Sequence, residues 1–122
     1  MTLREQDIIQ WGRDRNLVGP TGVATIYGQL KKTREEVQEL DDACEAYGKS
    51  YTRDDVKKAT DSARDAIGDI YVTLVMHAQL WGLTMTECIE QAWSQIKDRK
   101  GRMVNGIFVK ETPSCPTSSS TI

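Results

Sequence analysis

Apolar residues recur every three or four positions through most of the chain, the spacing of helices that bury one face. Projected at about 100° per residue, the segment from Ile26 to Ala46 sets Ile26, Leu30, Val37, Leu40 and Cys44 on one broad apolar face. Beside it runs a stripe of Gln29, Lys32, Glu36, Glu39 and Ala43, with Glu35 just outside. Further on, Ile67, Ile70, Tyr71, Val72, Leu74, Val75 and Met76 are apolar nearly all round, the pattern of a helix central to a bundle or an oligomer interface. No alternating strand pattern occurs before residue 101. After it, Asn105-Gly106 stands between short apolar runs, the residue pair of a tight hairpin.

Helix starts are marked by Ser/Thr followed three residues later by an acid: Thr2 with Glu5, Thr52 with Asp55, and Thr84 with Glu87. A fourth start is expected near Thr21, after the Gly19-Pro20 breaker. The pattern predicts helices over about 3–16, 22–47, 53–82 and 85–100. Gly48 and Gly82 are placed to end helices, and Gly68 marks a point where the third could divide. The expected architecture is all-α: a four-helix bundle that oligomerises, with a short C-terminal β-hairpin. One domain spans 1–111, and a disordered Pro/Ser/Thr-rich tail spans 112–122.

Composition narrows the partners. The 122 residues suit one domain, and a net charge of −2 offers no basic field to nucleic acid. Cys44, Cys88 and Cys115 form no CxxC pair, which argues against a disulfide framework or zinc site and fits a reducing compartment. The N-terminal MTLREQDIIQW lacks the apolar core of a signal peptide. The longest apolar stretch, 70–83, has 14 residues and includes His77 and Gln79, too short to span a bilayer. The expectation is therefore a cytoplasmic protein with no membrane or nucleic-acid partner. His77, the single histidine, reads as a packed or interface residue, and GPTG (19–22) as a turn rather than a phosphate loop.

The chemistry concentrates in acids. Glu36 and Glu39 are neighbours at i, i+3 on the border of the apolar face, where their like charges repel; Lys32, four residues before Glu36, offsets part of this. They are either a solvated flank or a pair of ligands for a hard divalent cation such as Mg²⁺. Asp61, Asp65 and Asp69 follow at i, i+4, i+8, Asp61 being expected the most exposed. Asp69 lies where its helix turns apolar all round. A buried carboxylate there needs a cation, a basic side chain or hydrogen bonds, and two antiparallel helices can bring it to the glutamates.

REEVQEL (34–40) followed by DAIGDIYVTL (65–74), with Gln29-x-x-Lys32 upstream and IKDRKGRMVNGIFVKE at the end, resembles the MazG-like members of the all-α nucleoside triphosphate pyrophosphohydrolase superfamily. The last segment is similar to short single-domain MazG-like proteins of phages. The likeness runs from about Asp7 to Glu111. It implies Mg²⁺ (with Mn²⁺ as an alternative ion) and cleavage of a nucleoside triphosphate between the α and β phosphates. It also implies a homodimer or homotetramer, in a host cytoplasm if the chain is phage-encoded. The family motif EExxE falls on Glu35, Glu36 and Glu39, and its ExxD on Ala66 and Asp69. The resemblance makes Glu36, Glu39 and Asp69 the metal ligands, and Glu35 a further ligand or the group orienting the attacking water. Lys32, Lys97 and Lys100 would neutralise phosphate charge, and Gln29 would touch the base or sugar. Trp11, Tyr27, Tyr71, Trp81 and Trp93 are expected in the core or at interfaces, although one near Gln29 could stack on the base. Ala66 departs from the pattern, since a methyl group binds no metal. Asp65, on one face with Asp69, is the expected substitute. The alternative is a non-catalytic helical interaction or nucleotide-sensing module that lost turnover through Ala66.

Overall fold

The structure, a computed structural model, describes residues 1–111; the tail expected at 112–122 lies outside the described residues. In chain order it contains α1 (Leu3–Asp14), α2 (Ile26–Gly48), α3 (Arg53–Leu80), α4 (Met85–Ile96), β1 (Gly101–Val104) and β2 (Ile107–Lys110). Four helices and a terminal hairpin are thus present as the pattern predicts. None of the described helices is long and apolar enough to cross a membrane. The chain forms two compact units, Met1–Cys88 and a second beginning at Ile89.

Capping explains most helix starts. Thr2 and Thr52 accept hydrogen bonds from the backbone N–H groups of Glu5 and Asp55. Asp55 reciprocates by accepting from Tyr51 and Thr52, and Glu87 does the same with Thr84. The second helix corrects the expected start near residue 22. It begins at Ile26, with Thr25 as its cap. Thr21 instead donates to the side chain of Asn16 at 2.7 Å, and the intervening loop is held by Val23 N–H to Asn16 O and Ala24 N–H to Leu17 O. Val18, 2% exposed, anchors this loop in the core. The helix ends also come earlier than expected, at Asp14 for α1 and Ile96 for α4. Gly68 does not divide α3, which runs unbroken. Gly82 ends α3 with a φ of 73°, whereas Gly48 stays helical and Lys49 caps α2.

The core of the first unit joins Ile9, Val18, Val75 and Met76, with Ile8, Leu17, Tyr71, Leu80 and Met85 packed against it. Gly12 lets α1 approach α3 closely: a Cβ there would overlap the Met76 sulfur. Glu5, 1% exposed, is the unexpected member of this region. Its carboxylate accepts from Met85 N–H at 2.6 Å, Thr86 N–H at 3.4 Å and the Thr86 hydroxyl at 2.6 Å. It therefore caps the first turn of α4 from a different helix, where a negative charge complements the helix N-terminus.

The seam between α2 and α3 corrects the expected face of α2. Glu36 and Ala43 are buried, while Val37 is 48% exposed and Cys44 is exposed. The contact face is shifted from the apolar face toward the acidic stripe. Polar bonds hold it there. Gln29 donates to Thr73 O at 3.2 Å, and the Thr33 hydroxyl donates to Thr73 Oγ1 at 3.0 Å. Buried Ala43, Ala59 and Ala66 keep the two helices close.

In the second unit, β1 and β2 pair antiparallel with Val104 opposite Ile107. Asn105 (φ 51°) and Gly106 (φ 80°) both take left-handed conformations, as the favoured two-residue hairpin turn requires.

Candidate metal centre

Because the α2–α3 seam is rotated, Glu36 and Glu39 face α3, and Asp69 meets them from the other side. One carboxylate oxygen from each of the three lies within 4.8 Å of the others. This is the trio expected on the resemblance. Its setting differs from expectation: Asp69 is exposed rather than enclosed, and Glu36 is the buried member, 8% exposed. Asp61 is also more covered than Asp65 and Asp69, and it pairs with Lys57 and Arg64. Within one chain, α3 has neighbours on only part of its circumference, so its acids project outward.

Glu36 Oε1 pairs with Lys32 Nζ at 3.3 Å. Its other oxygen, Oε2, is buried and has no hydrogen-bond partner among the described residues. An orphaned buried carboxylate oxygen beside two further carboxylates suits a hard divalent cation, which would satisfy the lone pairs and cancel the repulsion. The three carboxylates could therefore hold a metal ion.

Without a cation the acids compete for protons. Glu39 is held above its ordinary value first by the hydrogen bond it could donate to the neighbouring Glu36 carboxylate once protonated, then by the charge of Glu36, by burial and by the charge of Asp69. Glu36 is held below its ordinary value as the acceptor from a protonated Glu39, with help from Lys32 against the cost of its burial. Lys32 is raised by its bond to Glu36 and by the charges of Glu36, Glu35 and Glu39. On acidification Glu39 therefore takes up a proton before Glu36 does. A raised carboxyl favours the folded state while protonated, and that contribution is lost as pH rises through its folded pKa. A cation competes with this same proton. Mg²⁺ affinity, measured by calorimetric titration, should accordingly fall on acidification from a pH above the ordinary glutamate value of 4.5. In Glu39→Gln the affinity should be weak throughout and that step absent.

The remaining expected residues fall into three groups. Asp65 is exposed and outside the trio, but it lines a groove of about 410 Å³ with Glu39, Asp42, Ala66 and Asp69. Buried Ala66 presents no ligand to that groove. Glu35 is exposed and also outside the trio. Gln29 spends its amide N–H on Thr73 O. Lys97 and Lys100 belong to the second unit and are exposed. Reasoning from sequence missed Thr33 and Thr73, whose hydroxyls set the seam; threonines at helical spacing carry no distinguishing signal. Among family models, curated proteins and solved structures, none matches the chain.

Proposed function

We propose that the chain is a divalent-metal-dependent nucleoside triphosphate pyrophosphohydrolase acting on NTPs or dNTPs. The observation that carries this is the convergence of Glu36, Glu39 and Asp69 from two helices around the unpartnered, buried Glu36 Oε2. The motif resemblance supplies the reaction class.

A triphosphate is repelled by bare carboxylates. Held by Glu36, Glu39 and Asp69, Mg²⁺ would reverse the sign of the site and supply Lewis acidity toward the α-phosphoryl group. The chain's own residues do the rest. Glu36 is fixed by burial and by Lys32, so it orients a ligand oxygen without rearrangement. Lys32, 55% exposed along its side chain, can turn from Glu36 to a phosphate oxygen. Glu35, adjacent in sequence to Glu36, is assigned on the motif resemblance alone as a further ligand or as the base that orients the attacking water. Water adds to the α phosphorus, the bond to the bridging oxygen breaks, and pyrophosphate leaves with that oxygen; the nucleoside monophosphate retains the oxygen of water.

Asp65 is assigned an accessory role, through the groove it shares with Glu39 and Asp69. Mg²⁺-dependent pyrophosphate release, assayed over all NTPs and dNTPs, should fall steeply in Asp69→Asn and more gently in Asp65→Asn. Unchanged activity in Asp65→Asn would remove it from the mechanism. The exposed Val37, Ile67 and Trp81 support assembly into a homodimer or homotetramer, which light scattering on the full chain would detect.

A further inference from the structure

Within one chain every residue from 89 to 111 is exposed. The pattern of α4 nevertheless belongs to a helix with one face buried. Met85, Cys88, Ile89, Ala92, Trp93 and Ile96 follow at i, i+3, i+4, i+7, i+8 and i+11. The stripe starts on the core, where Met85 packs, and continues uncovered: Trp93 is 56% exposed, and Ile89 and Ile96 are exposed with it. The hairpin shows the same mismatch. Its register puts Met103 beside Phe108 on one face and Val104, Ile107 and Val109 on the other, so both faces are largely apolar and both are open. A two-stranded hairpin alone is marginally stable in water. Single apolar side chains scattered on a surface are ordinary, but a helix stripe and both faces of a hairpin together mark an interaction surface.

Charge points to the occupant. Residues 89–111 carry five basic and three acidic side chains, with Lys97, Arg99, Lys100 and Arg102 close together in sequence. Residues 1–88 carry eleven basic and fifteen acidic ones. Two second units would repel one another, whereas a second unit and a first unit attract. The first unit also has an apolar groove of about 240 Å³ on the α2–α3 pair, lined by Ala43, Cys44, Tyr47, Ala59, Thr60 and Ala63. None of the three clustered carboxylates lines it. Its alanines leave room for the bulky ridge of another helix, and Tyr47 is 62% exposed. We propose that α4 and the hairpin of one copy dock on the α2–α3 groove of a second copy, reciprocally, a proposal that rests on the self-association stated above and not on the metal centre. Such a two-fold pair covers both apolar stripes and sets each basic segment against an acidic unit. Trp93 is its central anchor, tryptophan being enriched among the residues that dominate interface energies.

Sedimentation velocity of the full chain tests the contact. Wild type should sediment as two copies or more. Trp93→Asp and Tyr47→Asp should each weaken association by roughly 30-fold or more. Their circular dichroism should stay helical, because both side chains are exposed in the single chain. Mixing the two variants should restore a dimer, since the intact second unit of one meets the intact groove of the other. Hydrogen exchange on wild type covers the case in which a variant fails to fold: protection at 101–110 and at 43–63 should be lost together on dilution. An oligomer that survives in folded Trp93→Asp or folded Tyr47→Asp overturns the docking and leaves self-association standing. So does exchange at these two segments that stays constant while the oligomer dissociates. A folded wild type that is monomeric overturns the docking and the self-association together, and makes the cover a different protein.

Discussion

Glu36→Gln is expected to lower Mg²⁺-dependent turnover by roughly 10²–10³-fold, the scale seen when one preorganised charged or polar group is removed from a reacting centre. The substitution keeps shape and volume. It removes the charge whose buried oxygen has no partner, and it leaves Glu39 and Asp69 as an exposed pair. The stability effect should run the other way. In wild type without metal, Glu36 faces the like charges of Glu39 and Asp69, and only a half-exposed Lys32 opposes them. Gln relieves that repulsion, so metal-free Glu36→Gln should melt no lower than wild type. The rise in Tm that Mg²⁺ gives wild type by binding the native state should disappear. Thermal melts with and without Mg²⁺, beside the activity assay, check both halves. A Glu36→Gln protein that still binds Mg²⁺ and turns over would move the centre elsewhere.

Glu5→Ala is expected to be the most destabilising single change in the first unit, by roughly 2–5 kcal/mol. Glu5 is nearly inaccessible, and its carboxylate receives two backbone N–H groups and one hydroxyl at the start of α4. Truncation leaves those part-buried donors without an acceptor and opens a void where the carboxylate stood. Each unmade bond costs about 1–3 kcal/mol, partly recovered where water enters. For a domain of this size the melting temperature should fall by roughly 10 °C or more. Glu5→Gln keeps the volume and one acceptor oxygen but turns an amide donor toward other donors, so it should fall between Ala and wild type. Urea unfolding of the three proteins measures the order. An Ala variant as stable as wild type would show that α4 does not depend on this cap.

Local signals were readable in the chain, and tertiary ones were not. Asn105-Gly106 and the Thr52–Asp55 box act through their own backbone within a few residues, so their motifs carried to the structure. The start of α2 did not, because Thr21 was drawn to Asn16 by a loop anchored through Val18. Nor did the face of α2: apolar periodicity pointed to Val37 and Cys44, whereas the seam followed Gln29, Thr33 and Thr73. That rotation buries Glu36 and makes it the ligand with an unmet oxygen, a property no spacing rule contains. The trio itself was legible as an i, i+3 pair plus an aspartate on the next helix, strengthened by the motif resemblance. Glu5 escaped notice because Thr2-x-x-Glu5 has the form of a local capping box. Its carboxylate instead serves a helix some eighty residues later in the chain.

The central claim is that three carboxylates on α2 and α3 hold a metal for cleavage at the α phosphorus. Phosphorus NMR of the full chain with each NTP and dNTP in Mg²⁺, repeated in EDTA, reads the products directly. The expected result is nucleoside monophosphate and pyrophosphate from at least one nucleotide with Mg²⁺, and neither in EDTA or with Glu36→Gln. Release of nucleoside diphosphate and orthophosphate, or no product from any nucleotide by a folded protein in Mg²⁺, would contradict it.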